Sequence, residues 1–113
     1  MIDAKQIRPK VDFTLLCGEY PDAELKAEMV SFLREVEKRG SLNAASKTLH
    51  VSYPRSLAIL KQLEDSLGTT LVERVRPDGS RLTADGRRLL EIFEQSQQQM
   101  VRYTNEAVKE VAN

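Results

Sequence analysis

Apolar and polar positions follow a two-residue period near the start of the chain. The segment 10–16 alternates between the two kinds, which is the pattern of a β-strand with one buried face. Its apolar side carries Val11, Phe13 and Leu15. Turn-forming residues follow in the segment 18–22, and no neighbouring segment has the same period. We therefore expect this strand to pair with a distant segment or with another chain.

The apolar period changes to three or four residues from Asp22 onwards, which indicates α-helices. Three short helices are predicted between capping residues. The N-caps are Asp22, Ser41 and Ser52, and the terminating glycines are Gly40 and Gly68. A tight turn at His50-Val51 separates the second helix from the third, whose first turn contains Pro54. The third helix has a leucine stripe that we expect to be buried: Leu57, Leu60, Leu63 and Leu67.

A β-hairpin and a long helix complete the pattern. Segments 71–75 and 81–82 flank an Asp78-Gly79 turn signal, which predicts two short antiparallel strands. Thr83 is a fourth N-cap, and the following segment 84–112 reads as one long helix. The order helix, helix, tight turn, helix, hairpin is that of a winged helix-turn-helix. We predict a mainly α fold with a small β-sheet.

The length of 113 residues fits a single domain. We divide it into an N-terminal strand or arm (1–22), the winged helix-turn-helix (23–83) and a long dimerisation helix (84–113). The 41% hydrophobic and 30% charged residues exclude a wholly disordered chain. One cysteine cannot form an intrachain disulfide, and with a single histidine beside it we expect no metal site. Without an apolar leader or membrane-spanning run, we expect a cytoplasmic protein that does not contact a membrane.

The formal net charge is zero, yet charge is distributed unevenly. Residues 38–88 hold ten basic and five acidic side chains, whereas both flanks are acidic. A basic segment attracts polyanions, because neutralised phosphates release condensed counterions. The predicted helix-turn-helix therefore coincides with the part of the chain suited to double-stranded DNA.

The third helix is the expected reader of bases, because a recognition helix places its first residues in the major groove. Arg55 matches the N7 and O6 acceptors of guanine, with a phosphate contact or a surface salt bridge as alternatives. The face opposite the leucine stripe, which we expect to be free, carries Ser52, Arg55, Ser56, Ile59 and Gln62. Ser52 caps the helix and contacts phosphate, Tyr53 contacts DNA or packs in the turn, and the short Ser56 permits close approach. Three further residues are expected to contact phosphates unless they are merely solvated: Lys47, Arg76 and Arg81.

The segment 40–91 contains a dense set of short motifs: Ala44-Ala45, Val51-Ser52 with Pro54, Leu63-Glu64, Leu67-Gly68, Leu71-x-Glu-Arg, and Leu82-Thr83 with Gly86. With these motifs the segment resembles the DNA-binding domain of the LysR-type regulators. The stretch Ser52-Tyr53-x-Arg55-Ser56 and the strand before the first helix are closer to the N-terminal domain of ModE, the molybdate-responsive regulator. Both families imply a DNA-binding transcriptional regulator that dimerises through the long helix. This chain stops at Asn113 without a counterpart of their effector domains, so no small-molecule effector is evident and the resemblance does not carry an oxyanion site with it. Regulation through the abundance of the protein, through a partner or through a small molecule at the dimer interface stays open, and no cofactor is expected.

The long helix also predicts dimerisation by its own pattern. A seam with alternating spacings of three and four runs along it. Its members are Leu90, Phe93, Gln97, Met100, Thr104, Ala107 and Val111. Such a seam fits a second copy of the chain, although an intrachain core is the alternative. A homodimer would place two recognition helices on a partly palindromic site.

Two other functions are consistent with the same sequence pattern. A non-specific architectural DNA binder would have the same fold, and so would a winged helix that binds a protein. An enzyme is not expected, because the sequence lacks a nucleophile–base set and a phosphate-cradling glycine loop. We therefore favour a sequence-specific, homodimeric transcriptional regulator.

Overall fold

The computed structural model describes residues 1–19, 21–75, 77 and 79–112. A short 3₁₀ turn, Ala4–Gln6, precedes two strand pairs and four α-helices within these residues. The elements in chain order are β1 (Leu15–Cys17), β2 (Ala23–Leu25), α1 (Ala27–Arg39), α2 (Leu42–Leu49), α3 (Tyr53–Leu67), β3 (Val72–Val75), β4 (Gly79–Leu82) and α4 (Ala84–Ala112). This architecture confirms the predicted winged helix-turn-helix, although its strands form two small sheets rather than one.

The N-terminal strand has a local partner, so the expectation of a distant or intermolecular partner was wrong. β1 pairs with β2 in an antiparallel hairpin that sets Leu15 opposite Leu25. Asp22 therefore does not begin the first helix, which starts at Ala27 after Lys26. Leu25 misled the sequence reading because it lies four residues before the first buried helical position, which fits a helical period as well as a strand. The boundary drawn after residue 22 falls inside this hairpin.

The other predicted helix ends are confirmed by hydrogen bonds. The Oγ atoms of Ser41 and Ser52 accept from the backbone N–H of Ala44 at 3.1 Å and of Arg55 at 3.3 Å. The Thr83 hydroxyl likewise accepts from the third residue beyond it, at 3.0 Å. Gly40 and Gly68 adopt the left-handed conformation that closes α1 and α3. These caps fix where the helices around the central turn begin and end.

One hydrophobic core lies between α1, α3, the wing and the first half of α4. Its most deeply buried members are Leu25, Val30, Phe32, Leu33, Val36, Leu63, Leu71, Leu82 and Phe93. The wing, formed by β3 and β4, joins this body through a hydrogen bond from the Ser80 N–H to the Gly40 carbonyl at 2.8 Å. The wing is thus held against the end of α1, beside the helix-turn-helix.

The first part of the predicted N-terminal arm, residues 1–13, lies along α4, and the name arm is used below for these residues. The rings of Phe13 and Phe93 are stacked, with centroids 4.6 Å apart and planes at 17°. Further along the helix, Val11 borders the same surface groove as Met100. The 3₁₀ turn at the start of the arm also packs on α4. The arm therefore covers part of the helix face that carries the predicted seam.

No helix within the described ranges is both long enough and apolar enough to cross a membrane.

Candidate nucleic-acid interface

The angle between α2 and α3 is set by the turn that joins them. His50 adopts the left-handed conformation, with φ of 55°. Its N–H donates to the Lys47 carbonyl at 3.3 Å, and the N–H of Val51 donates to the Ser46 carbonyl at 3.1 Å. The chain then enters α3 at the Ser52 cap. These two hydrogen bonds give carbonyl groups at the end of α2 their donors. Beyond the turn, α3 packs against α2.

The first turn of α3 presents Ser52 and Arg55 as exposed residues and Tyr53 as half-buried. Ser56 is only 6% exposed, so the expectation that it lies on the free face was wrong. The neighbouring Ile59 is also half-buried and packs against the core. The physical reason is helical spacing: Ser56 lies four and seven residues before the buried Leu60 and Leu63, so it shares their side of α3.

The exposed face of α3 therefore does not coincide with the face that the sequence predicted to be free. The exposed residues along it are Pro54, Arg55, Ala58, Lys61, Gln62 and Asp65. On the opposite side, the predicted leucine stripe is buried at Leu60 and Leu63, whereas Leu57 and Leu67 are only half-buried. This face combines one arginine and one lysine with one carboxylate, that of Asp65, one amide and two small side chains.

Lys61 is a candidate that the sequence reasoning missed. It is exposed on the same side of α3 as Pro54, seven residues earlier. That spacing was the available signal, but the reading had centred the free face on Ser56 and Ile59. A hydrogen bond to Asp65 and the charge of that carboxylate raise the pKa of Lys61 above its ordinary value.

One of the two phosphate contacts predicted on the wing, Arg81, lies within the described residues. Arg81 on β4 is exposed and lies directly across from Glu73 on β3. The Nε atom of Arg81 is 2.7 Å from the Oε1 atom of Glu73. Arg76 lies outside the described residues. Lys47 is exposed near the end of α2, on the other side of the turn.

The predicted dimer seam divides into two parts. Leu90 and Phe93 are 8% and 2% exposed, so they belong to the core of their own chain and their assignment to a dimer interface was wrong. Four further members are half-buried along α4: Gln97, Met100, Thr104 and Ala107. Val111 is 89% exposed and Tyr103, outside the seam, is 78% exposed. The distal half of α4 thus retains apolar surface.

The part of the chain that the structure describes contains no group of three or more side chains suited to a metal ion. An open cleft of about 660 Å³ lies between the N-terminal hairpin and α3. It is bordered by charges of both signs, among them Asp22, Glu24, Lys26 and Arg55. The cleft places acidic groups of the hairpin beside the exposed face of α3.

Residues 28–87 match the model of the bacterial regulatory helix-turn-helix proteins of the lysR family. The chain belongs to this family. The match spans α1, α2, α3 and the wing, and ends in the first turn of α4. The resemblance to LysR-type regulators is thereby confirmed, and the family is one of DNA-binding transcription regulators rather than enzymes.

Solved structures of similar proteins agree with this membership. The DNA-binding domain of CbnR in complex with DNA is 30% identical, with a TM-score of 0.58 over 74% of this chain and 94% of that one. CbnR, a LysR family transcriptional regulator, is also 30% identical, with a TM-score of 0.57. The same values hold for full-length CbnR with its target DNA. This chain covers 28% of full-length CbnR. No curated protein sequence matches this chain.

Proposed function

We propose that this lysR-family chain is a transcriptional regulator that binds a partly palindromic DNA operator as a homodimer. The observation that carries the proposal is the exposed Arg55 in the first turn of α3, held by the Ser52 cap. Within the described ranges, Arg55 makes no ion pair or side-chain hydrogen bond. Its guanidinium is therefore available to the N7 and O6 atoms of a guanine.

The neighbouring elements supply contacts that would orient the chain on DNA. Lys47 is exposed on α2, which precedes the recognition helix in the chain, and Arg81 is exposed on β4, which follows it. Phosphate contacts from such side chains set register and orientation, whereas base contacts supply the specificity. The complexes of CbnR with DNA support the same ligand for this chain.

The proposed homodimer uses the distal half of α4. The contact would involve Met100, Thr104, Ala107 and Val111, together with the exposed Tyr103. The arm contributes Val11, which borders the groove between Met100 and Tyr103. A two-fold dimer would set the two recognition helices about 34 Å apart, one turn of DNA.

A closer likeness to ModE is part of the proposal. It is supported by the stretch Ser52-Tyr53-x-Arg55-Ser56 and by a strand that precedes the first helix. The likeness that we propose concerns DNA binding and dimerisation.

The test is selection of duplex DNA by the purified chain, followed by sequencing and by light scattering to determine the oligomeric state. We expect an enriched motif with two half-sites and a dimer in solution. Binding without any enriched motif, lost at moderate salt, would instead identify a non-specific DNA binder. Absence of duplex binding would favour a winged helix that recognises a protein.

A further inference from the structure

Two cations on the proposed DNA-facing surface are held by carboxylates of the same chain. The Nζ atom of Lys61 lies 2.9 Å from Oδ1 of Asp65, one helical turn further along α3. The Nε atom of Arg81 lies 2.7 Å from Oε1 of Glu73, on the facing strand of the wing. Both pairs are exposed, so each cation can exchange its carboxylate for a phosphate.

Arg55 differs from these two cations in its surroundings. In the described ranges no carboxylate lies within ion-pairing distance of its guanidinium. A duplex that approaches α3 therefore meets Arg55 without any exchange of partners. At Lys61 or Arg81, the same duplex meets a cation whose charge is already offset by a carboxylate, which also repels the phosphates.

We infer that Asp65 and Glu73 are positioning residues that determine DNA specificity, by pairing with Lys61 and Arg81 and weakening phosphate binding that is independent of sequence. The inference rests on the proposed function, because it places duplex DNA on this face. Sequence-independent affinity grows with the number of phosphates that the protein neutralises. Discrimination comes from base contacts such as the one proposed for Arg55. Restraining two cations therefore raises the ratio of specific to non-specific affinity.

The variants Asp65→Asn and Glu73→Gln test this role, since each removes a charge and keeps the side-chain shape. The dissociation constant is measured for the selected site and for an unrelated duplex, over a range of salt concentrations. We expect each variant to bind the unrelated duplex several-fold more tightly. The slope of log affinity against log salt should steepen by about 0.9 for each released cation. The affinity ratio between the two duplexes should fall.

A control variant, Glu37→Gln, makes the same charge change on the exposed surface of α1. It should leave both affinities and the salt slope unchanged. The double variant Lys61→Gln/Asp65→Asn then separates the ion pair from general repulsion. If Asp65 acts by holding Lys61, Asp65→Asn should not steepen the slope in the Lys61→Gln background.

Two results would overturn the inference while leaving the proposed function in place. One is equal binding of the unrelated duplex by the wild type and both variants. The other is an Asp65→Asn effect that is the same with and without Lys61, which would show general repulsion rather than pairing. If the wild type binds no duplex at all, the proposed function fails, and this inference fails with it. Unfolding curves of each variant establish that folded proteins are compared.

Discussion

The carboxylate of Glu64, near the end of α3, accepts a hydrogen bond from the backbone N–H of Leu71 at 2.8 Å. The adjacent N–H of Val72, the first residue of β3, points to the same oxygen at 3.4 Å. Leu71 itself is buried in the core. The recognition helix and the wing are thus joined by one side chain, which fixes the position of the wing relative to the exposed face of α3.

Replacing Glu64 by alanine should reduce stability, because two partly buried backbone donors would lose their acceptor. We expect the free energy of unfolding to fall by about 1–3 kcal/mol. Urea denaturation followed by circular dichroism measures the change. Glu64→Gln keeps an acceptor oxygen and should cost less. Equal losses for the two variants would mean that charge, rather than the hydrogen bonds, is what matters at this position.

The hydroxyl of Ser46 is buried in α2 and has no hydrogen-bond partner among the described residues. A buried polar group without a partner destabilises the fold, and alanine is the better helix former. Ser46→Ala should therefore raise the free energy of unfolding by about 0.5–1 kcal/mol. Thermal and urea unfolding both report the change. A loss of stability would show that the hydroxyl is satisfied in solution.

Gly86 lies in the first turn of α4, where its Cα faces the backbone of Leu71. A Cβ added at this position would overlap the Leu71 carbonyl oxygen. Helix propensity alone predicts that Gly86→Ala stabilises the chain by about 1 kcal/mol. The close approach predicts the opposite sign, a loss of about 1–3 kcal/mol. Because the two expectations differ in sign, a denaturation curve of this single variant decides between them.

The stacked pair Phe13–Phe93 attaches the N-terminal arm to α4. Phe13→Ala should lower the free energy of unfolding by about 1–3 kcal/mol, since it removes both the stacking and the buried area. Hydrogen exchange should show faster exchange in distal α4, because the arm no longer covers it. Phe13→Leu retains much of the apolar area and serves as the matched variant. Unchanged exchange in Phe13→Ala would show that the arm does not protect α4.

Arg55→Ala tests the proposed base contact directly. We expect a loss of about 1–3 kcal/mol in binding to the selected site, with relaxed specificity at one base position. Fluorescence anisotropy with single-base variants of the site measures both effects. Lys5→Ala in the N-terminal 3₁₀ turn also removes one positive charge away from α3 and should leave site preference intact. An equal loss on every sequence would instead assign Arg55 to a phosphate.

Local signals in the sequence were sufficient for the helix-turn-helix. Ser41, Ser52 and Thr83 cap helices through atoms three residues away, and such hydrogen bonds depend on neighbouring residues alone. Gly40 and Gly68 end helices for an equally local reason, since they adopt the left-handed conformation. The order of these signals, followed by a hairpin and a long helix, was sufficient to predict the fold class.

Contacts between distant segments decided the rest. β1 pairs with β2, the ring of Phe13 stacks on Phe93, and Leu90 is buried in the core of its own chain. The pairing of Arg81 with Glu73 likewise depended on strand register. The sequence by itself therefore determined where α2, α3 and α4 begin and where α1 and α3 end, but not where α1 begins. Only the tertiary structure decided which faces are free, because packing and register join residues that the local period cannot relate.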